Sequence, residues 1–68
     1  MTQTERIVQY LSDNGSITAA EAMTELGIYR LASRIHDLRK AGYAINRRIV
    51  SDVNRYGEPV HYTRYSLD

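Results

Sequence analysis

The sequence predicts an α+β fold, a three-helix core followed by a C-terminal β-hairpin. Three observations lead there. Two Thr-x-x-Glu segments each precede apolar residues at helical spacing. Glycines follow the helical runs where a helix has to stop. From Tyr43 onward the pattern changes to β-branched residues among polar ones, interrupted by a single turn-rich segment.

The first helix follows from Thr2-Gln3-Thr4-Glu5, a capping box in which the Thr2 side chain accepts from the Glu5 amide and the Glu5 carboxylate reaches back. It starts near Gln3, carries Ile7, Val8 and Leu11 on its inner face, and ends at Asn14-Gly15. Thr18-Ala19-Ala20-Glu21 repeats the box, preceded by Ile17 as a hydrophobic staple or a very short strand. The second helix is expected over Ala19 to Leu26, with Ala22, Met23 and Leu26 as its buried stripe and Gly27 beyond its end. In the third helix Leu31, Ile35 and Leu38 share a narrow sector. The opposite sector holds Tyr29, Arg30, Ser33, His36, Asp37 and Lys40, Arg34 and Arg39 flank the stripe, and Ala41-Gly42 stops the helix.

The hairpin has Ile45, Ile49, Val50 and Val53 in its first strand and residues 60 to 67 in its second. Asn54 to Pro59 supplies the turn, with the tip near Arg55 to Glu58. Pro59 lacks an amide, which places it at the hairpin mouth or on an edge. Tyr65 and Leu67 are assigned to the core together with Ile45 and Ile49, while Tyr62 and Arg64 share the other face.

Sixty-eight residues allow one domain, taken as residues 1–68. A chain of this length buries only about 60% of its unfolded surface, which leaves little room for an elaborate catalytic cleft. There is no cysteine, so neither disulfides nor a cysteine zinc site can stabilise it. No apolar run approaches the roughly 18 residues of a membrane span, and Met1 is followed at once by polar residues rather than a basic and apolar leader. The expectation is a soluble intracellular protein.

Charge is unevenly placed. Residues 1–28 hold one arginine against four carboxylates, whereas residues 29–68 hold eight arginines and lysines against four carboxylates. A dipolar chain of this kind points to a polyanion partner more strongly than its net charge of +1 does. All six aromatic residues are tyrosines, which can bury a ring and offer a hydroxyl to phosphate or solvent. Tyr10 and Tyr65 are read as ordinary structural residues.

Three helices and a hairpin resemble a winged helix-turn-helix domain, and the resemblance covers almost the whole chain. The segment ITAAEAMTELGIYRLASRIHDLRKAGYAI is similar in pattern to small bacteriophage and prophage DNA-binding domains of the winged type. Within it, LGIYRLA resembles the turn of phage repressors, but Leu31, Ile35 and Leu38 run about one residue later than in those simpler proteins. That rotation favours the winged class, and base contacts are therefore not carried over residue by residue. The resemblance implies a third helix in the major groove, a wing on backbone or minor groove, and a transcriptional regulator or excisionase-like architectural factor in the cytoplasm of a bacterial host.

Side-chain chemistry nominates the contacts independently. Base edges are read by side chains projecting near the N-terminus of a groove helix. Arg30 can bond guanine through two hydrogen bonds, Ser33 can donate or accept, and Tyr29 can reach a phosphate or a thymine methyl. Arg34 and Lys40 are assigned to phosphate, with stem packing for the first and helix-dipole complementation for the second as the alternatives. Asp37 is expected to form a salt link, to Arg34 or to a hairpin arginine. His36 is read as a phosphate or packing histidine and not as a metal ligand, because His61 lies in another element. Arg47 and Arg48 are adjacent and point to opposite faces, so at least one faces outward. Arg55 and Tyr56 at the tip suit the minor groove or a phosphate.

The sequence has no glycine-rich phosphate loop, no nucleophile beside a base and no paired carboxylates in an apolar setting, so it is read as a non-enzyme without metal, cofactor or small-molecule substrate. The partner expected is double-stranded DNA, with a weak homodimer or cooperative assembly on it. The competing reading is a protein-binding winged helix that modulates a host or phage protein.

Overall fold

The computed structural model describes residues 1–67. Its elements run α1 (Gln3–Asn14), β1 (Ser16–Thr18), α2 (Ala19–Leu26), α3 (Leu31–Lys40), β2 (Ile45–Val53) and β3 (Pro59–Leu67). Both capping boxes form in full: the Thr2 and Thr18 side chains accept from the amides of Glu5 and Glu21, and those carboxylates accept from the cap amides. Gly15 and Gly27 close the first two helices with φ of 87° and 69°, a left-handed turn that costs a β-carbon-bearing residue energy.

The sheet has three antiparallel strands in the order β1-β3-β2, rather than the hairpin alone. Ile17 takes the short-strand option: β1 pairs with β3 from Ser16↔Ser66 to Thr18↔Arg64, which locks the start of the chain's second helix onto the end of its last strand. Pro59 opens β3 opposite Val53, beyond the reach of β1, where its missing amide leaves no sheet partner unsatisfied.

Among the described residues nine make the core: Ile7, Leu11, Ile17, Ala22, Ile28, Leu31, Ile35, Leu38 and Ile45. Val8, Tyr10, Leu26 and Tyr65 pack against it, in agreement with the structural reading of the two tyrosines. Ile28 sits in the turn after α2 and is almost fully buried, its amide donating to the Ala22 carbonyl at 2.9 Å. The apolar turn residue thereby fixes how α3 leaves α2.

Three core assignments differ from the structure. Met23 is largely exposed, because Ala22 and Leu26 already define the inward face of an eight-residue helix and Met23 lies about 100° round from the first. Ile49, at 62% exposure, stands on the predicted sheet face beyond the helical body, and Leu67, opposite Ile45 at the base of the hairpin, is 38% exposed where β3 ends. The hairpin outruns the helical body, giving a molecule of 39 × 22 × 21 Å, and among its described residues only Ile45 at its base is buried.

Ile17 is fully buried and joins the strand to the core. Ile17→Ala is therefore expected to cost about 2–5 kcal/mol in urea unfolding. Glu5 adds a pH dependence. The Thr2 amide and then the Thr2 hydroxyl hold its carboxyl below the ordinary 4.5. A carboxyl lowered on folding stabilises above its unfolded pKa and loses that contribution as pH falls through the folded value. In an NMR titration Glu5 should protonate below free glutamate, and Thr2→Ala, which keeps the amide and removes the hydroxyl, should move it only part of the way back up.

Candidate nucleic-acid interface

Helix α3 has an uncapped start. Arg30 occupies the N-cap position with φ −120° and ψ 60°, and no side chain bonds the first-turn amides. Tyr29 and Arg30 therefore belong to the turn before α3, not to its helical face as the periodicity predicts. Gly27 ends α2 and the buried Ile28 pulls the chain inward, so the two residues that follow are thrust out, both exposed, Tyr29 at 79%. Open amides at a helix N-terminus favour a bound anion.

Arg34 lies one turn into α3 and, with Tyr29, Arg30 and Gln3 of α1, lines one shallow cleft. Its Nη2 atom is 3.2 Å from Asp37 Oδ2, the i, i+3 salt link expected for Asp37. Its Nε is buried without a hydrogen-bond partner, so any acceptor from outside must reach this guanidinium through its terminal nitrogens. Ser33 is half-buried, and His36 and Lys40 are exposed further along the helix. Gln3 was not legible as a site residue: it reads as the first residue of a capped helix, and only the packing of α1 beside α3 brings it to Arg30.

The hairpin carries the second group. Arg47, Arg48, Arg55 and Tyr56 are all exposed. Arg48 stands opposite Arg64 in the β2–β3 register, like charges face to face. At the tip Asn54 Oδ1 accepts from the amides of Tyr56 and Glu58 at 2.9 and 3.1 Å, and Gly57 turns with φ 76°. The Asn54 side-chain amide also holds the Glu58 carboxylate at 3.2 Å. This ordered turn presents Arg55 and Tyr56 outward while the Glu58 carboxylate is drawn to Asn54.

Two arginines that the sequence leaves undifferentiated turn out to be structural. Arg39 donates from Nε and Nη2 to the Ile45 carbonyl at 3.3 and 3.0 Å, tying the end of α3 to the start of β2. Arg64 donates from Nη1 to Ser16 Oγ at 2.9 Å and to Glu21 Oε1 at 3.3 Å, joining β3 to β1 and α2. Among the described residues the salt bridges are Arg34–Asp37 and Arg64–Glu21, so Arg30, Lys40, Arg47, Arg48 and Arg55 keep unneutralised charge. No group of His, Asp or Glu among the described residues is placed to hold a metal, and none of the described helices is long and apolar enough to cross a membrane.

Three helices, a tight turn into the third, and an antiparallel sheet whose hairpin projects past the core define a winged helix. The chain belongs to the winged helix-turn-helix domain family, whose model matches residues 2–68. No curated protein matches it. Membership supports DNA binding in general, with double-stranded DNA as the partner, and domains of this family are typically non-enzymatic DNA-binding modules.

The separation of structural from free cations has a direct check. Arg64→Met should lower stability by about 1–3 kcal/mol, since it removes the bonds from β3 to Ser16 and to the half-buried Glu21 carboxylate. Arg30→Ala should leave the unfolding midpoint unchanged within about 0.5 kcal/mol.

Proposed function

We propose that residues 1–68 act as one sequence-specific reader of duplex DNA, a small phage-type transcriptional regulator or excisionase-like architectural factor working in a bacterial cytoplasm. The turn and first half of α3 enter the major groove, where Arg30 bonds a guanine edge and Tyr29 and Ser33 flank it. Arg34, His36 and Lys40 hold phosphates on either side, the open amides at the start of α3 donate to another, and Arg47, Arg48, Arg55 and Tyr56 of the hairpin lie on backbone or minor groove.

The observation that carries this reading is the set of exposed cations without carboxylate partners on the α3 turn and the hairpin, in a chain whose other half is net acidic. Such a distribution orients the molecule on a polyanion as it approaches. A protein-binding winged helix is the competing reading, and the observation in its favour is the exposed Ile49 and Val53 of the hairpin, each at 62%.

Gel shifts over a salt series separate the two. A reader that neutralises about five phosphates should show a log-log salt slope near −4 to −5, and a flat slope would reject DNA as the partner. On a site selected from random oligonucleotides, Arg30→Ala should cost about 1–3 kcal/mol and relax base preference, whereas Arg55→Ala should weaken all sequences nearly equally. Unchanged affinity and preference in Arg30→Ala would mean that the reading face lies elsewhere.

A further inference from the structure

The outer edge of the sheet is open along β2. Sheet order β1-β3-β2 leaves β2 with one neighbour, and the Asn54 amide donates across the hairpin to Glu58 at 3.0 Å. Alternation along an antiparallel ladder then turns the even-numbered backbone groups of β2 toward β3 and the odd-numbered ones, Arg47, Ile49, Ser51 and Val53, outward. Two contacts confirm that direction. The Ile45 carbonyl is taken by Arg39, and the Val53 amide is taken by Asp52 Oδ1 at 2.8 Å. The open edge therefore runs from Arg47 to Val53, closed at one end by a guanidinium and at the other by the strand's own carboxylate.

We infer that this edge pairs with the same edge of a second copy, antiparallel, about a two-fold axis at Val50. Register is decided by parity and charge. Outward groups must face outward groups, so the numbers of opposed residues add to an even total. Centring on Arg48 would oppose two like charges, and centring on Ser51 would set Arg47 against Arg55. Centring on Ile49 leaves Arg48 opposite Val50 and unpaired. Centring on Val50 sets Arg48 opposite Asp52 of the second copy, twice over, in the non-bonded positions where side chains approach most closely. Arg48 faces Arg64 within its own sheet, so a carboxylate on its open side relieves an existing repulsion. Asp52 exchanges its own Val53 amide for that arginine, and the amide passes to the second copy's Arg47 carbonyl. On the other face Ile49 and Val53 of both copies meet diagonally, which covers the two most exposed apolar residues of the sheet. In this pairing Arg48 turns to Asp52 of the second copy instead of to phosphate, which leaves the hairpin's DNA contact to Arg47, Arg55 and Tyr56; self-pairing does not rest on DNA binding and is measured without DNA.

Sedimentation equilibrium of the full chain should show a concentration-dependent dimer. Arg48→Asp and Asp52→Arg, each checked for folding by circular dichroism, should each weaken it by about tenfold or more. An equimolar mixture of the two should recover the dimer, because the heterodimer restores both charge pairs. Val50→Cys should form a disulfide-linked dimer under mild oxidation, while Arg47→Cys, whose counterpart across the axis is Val53, should not. A wild-type monomer at about 1 mM, a dimer indifferent to both reversals, or a mixture of folded variants that stays monomeric would overturn the pairing, as would failure of Val50→Cys to cross-link.

Discussion

The Glu21 carboxylate is the joint on which the arrangement depends. Its Oε1 accepts from the Thr18 amide at 2.9 Å, which begins α2, and from Arg64 at 3.3 Å, which holds β3. Arg64 reaches on to Ser16, so one carboxylate and one guanidinium connect β1, α2 and the central strand. Side-chain exposures of 25% and 35% keep this cluster partly out of water, where a charge-assisted bond is worth more than at the surface. Without it the hairpin would be fastened to the helices by the three-residue pairing of β1, by the Arg39 bonds to the Ile45 carbonyl and by the packing of Ile45 and Tyr65.

The helices were legible because their start and stop signals are local. Thr2 with Glu5 and Thr18 with Glu21 state their own geometry, and Gly15 and Gly27 need only their own backbone to adopt a left-handed turn. The face of each strand was equally legible: Ile45, Ile49, Tyr65 and Leu67 do share one side of the sheet. How far the core extends along that side was not, since burial of Ile49 depends on whether a helix stands opposite it, and α3 ends at Lys40. Met23 shows the same limit, being apolar at helical spacing yet turned away from the body that α1, β1 and α3 make around Ala22.

The site was legible as a composition and only partly as a geometry. Helical periodicity places Tyr29 and Arg30 on α3, but the φ and ψ of Arg30 put both in the turn, where they are freer to follow a groove. Among the arginines, the pairing of Arg34 with Asp37 followed from i, i+3 spacing. The roles of Arg39 and Arg64 could not follow from spacing, because their partners Ile45, Ser16 and Glu21 come close only when sheet and helices assemble.

A chain of this size has few residues for separate tasks, and its cations are divided by position. Arg39 and Arg64 sit where elements meet and bond a carbonyl, a hydroxyl and a carboxylate, so their charge stabilises the fold and is withdrawn from any partner. Arg30, Arg47 and Arg55 sit where the chain leaves the core, in a turn, a strand beyond the helical body and a hairpin tip, and bond none of the described carboxylates. Full hydration in the free protein means that such a charge loses little when a phosphate replaces water, whereas a charge already bonded in the fold would first have to break that bond. Folding and the proposed recognition therefore draw on different members of the same residue type, so the exposed arginines can vary without unfolding the domain.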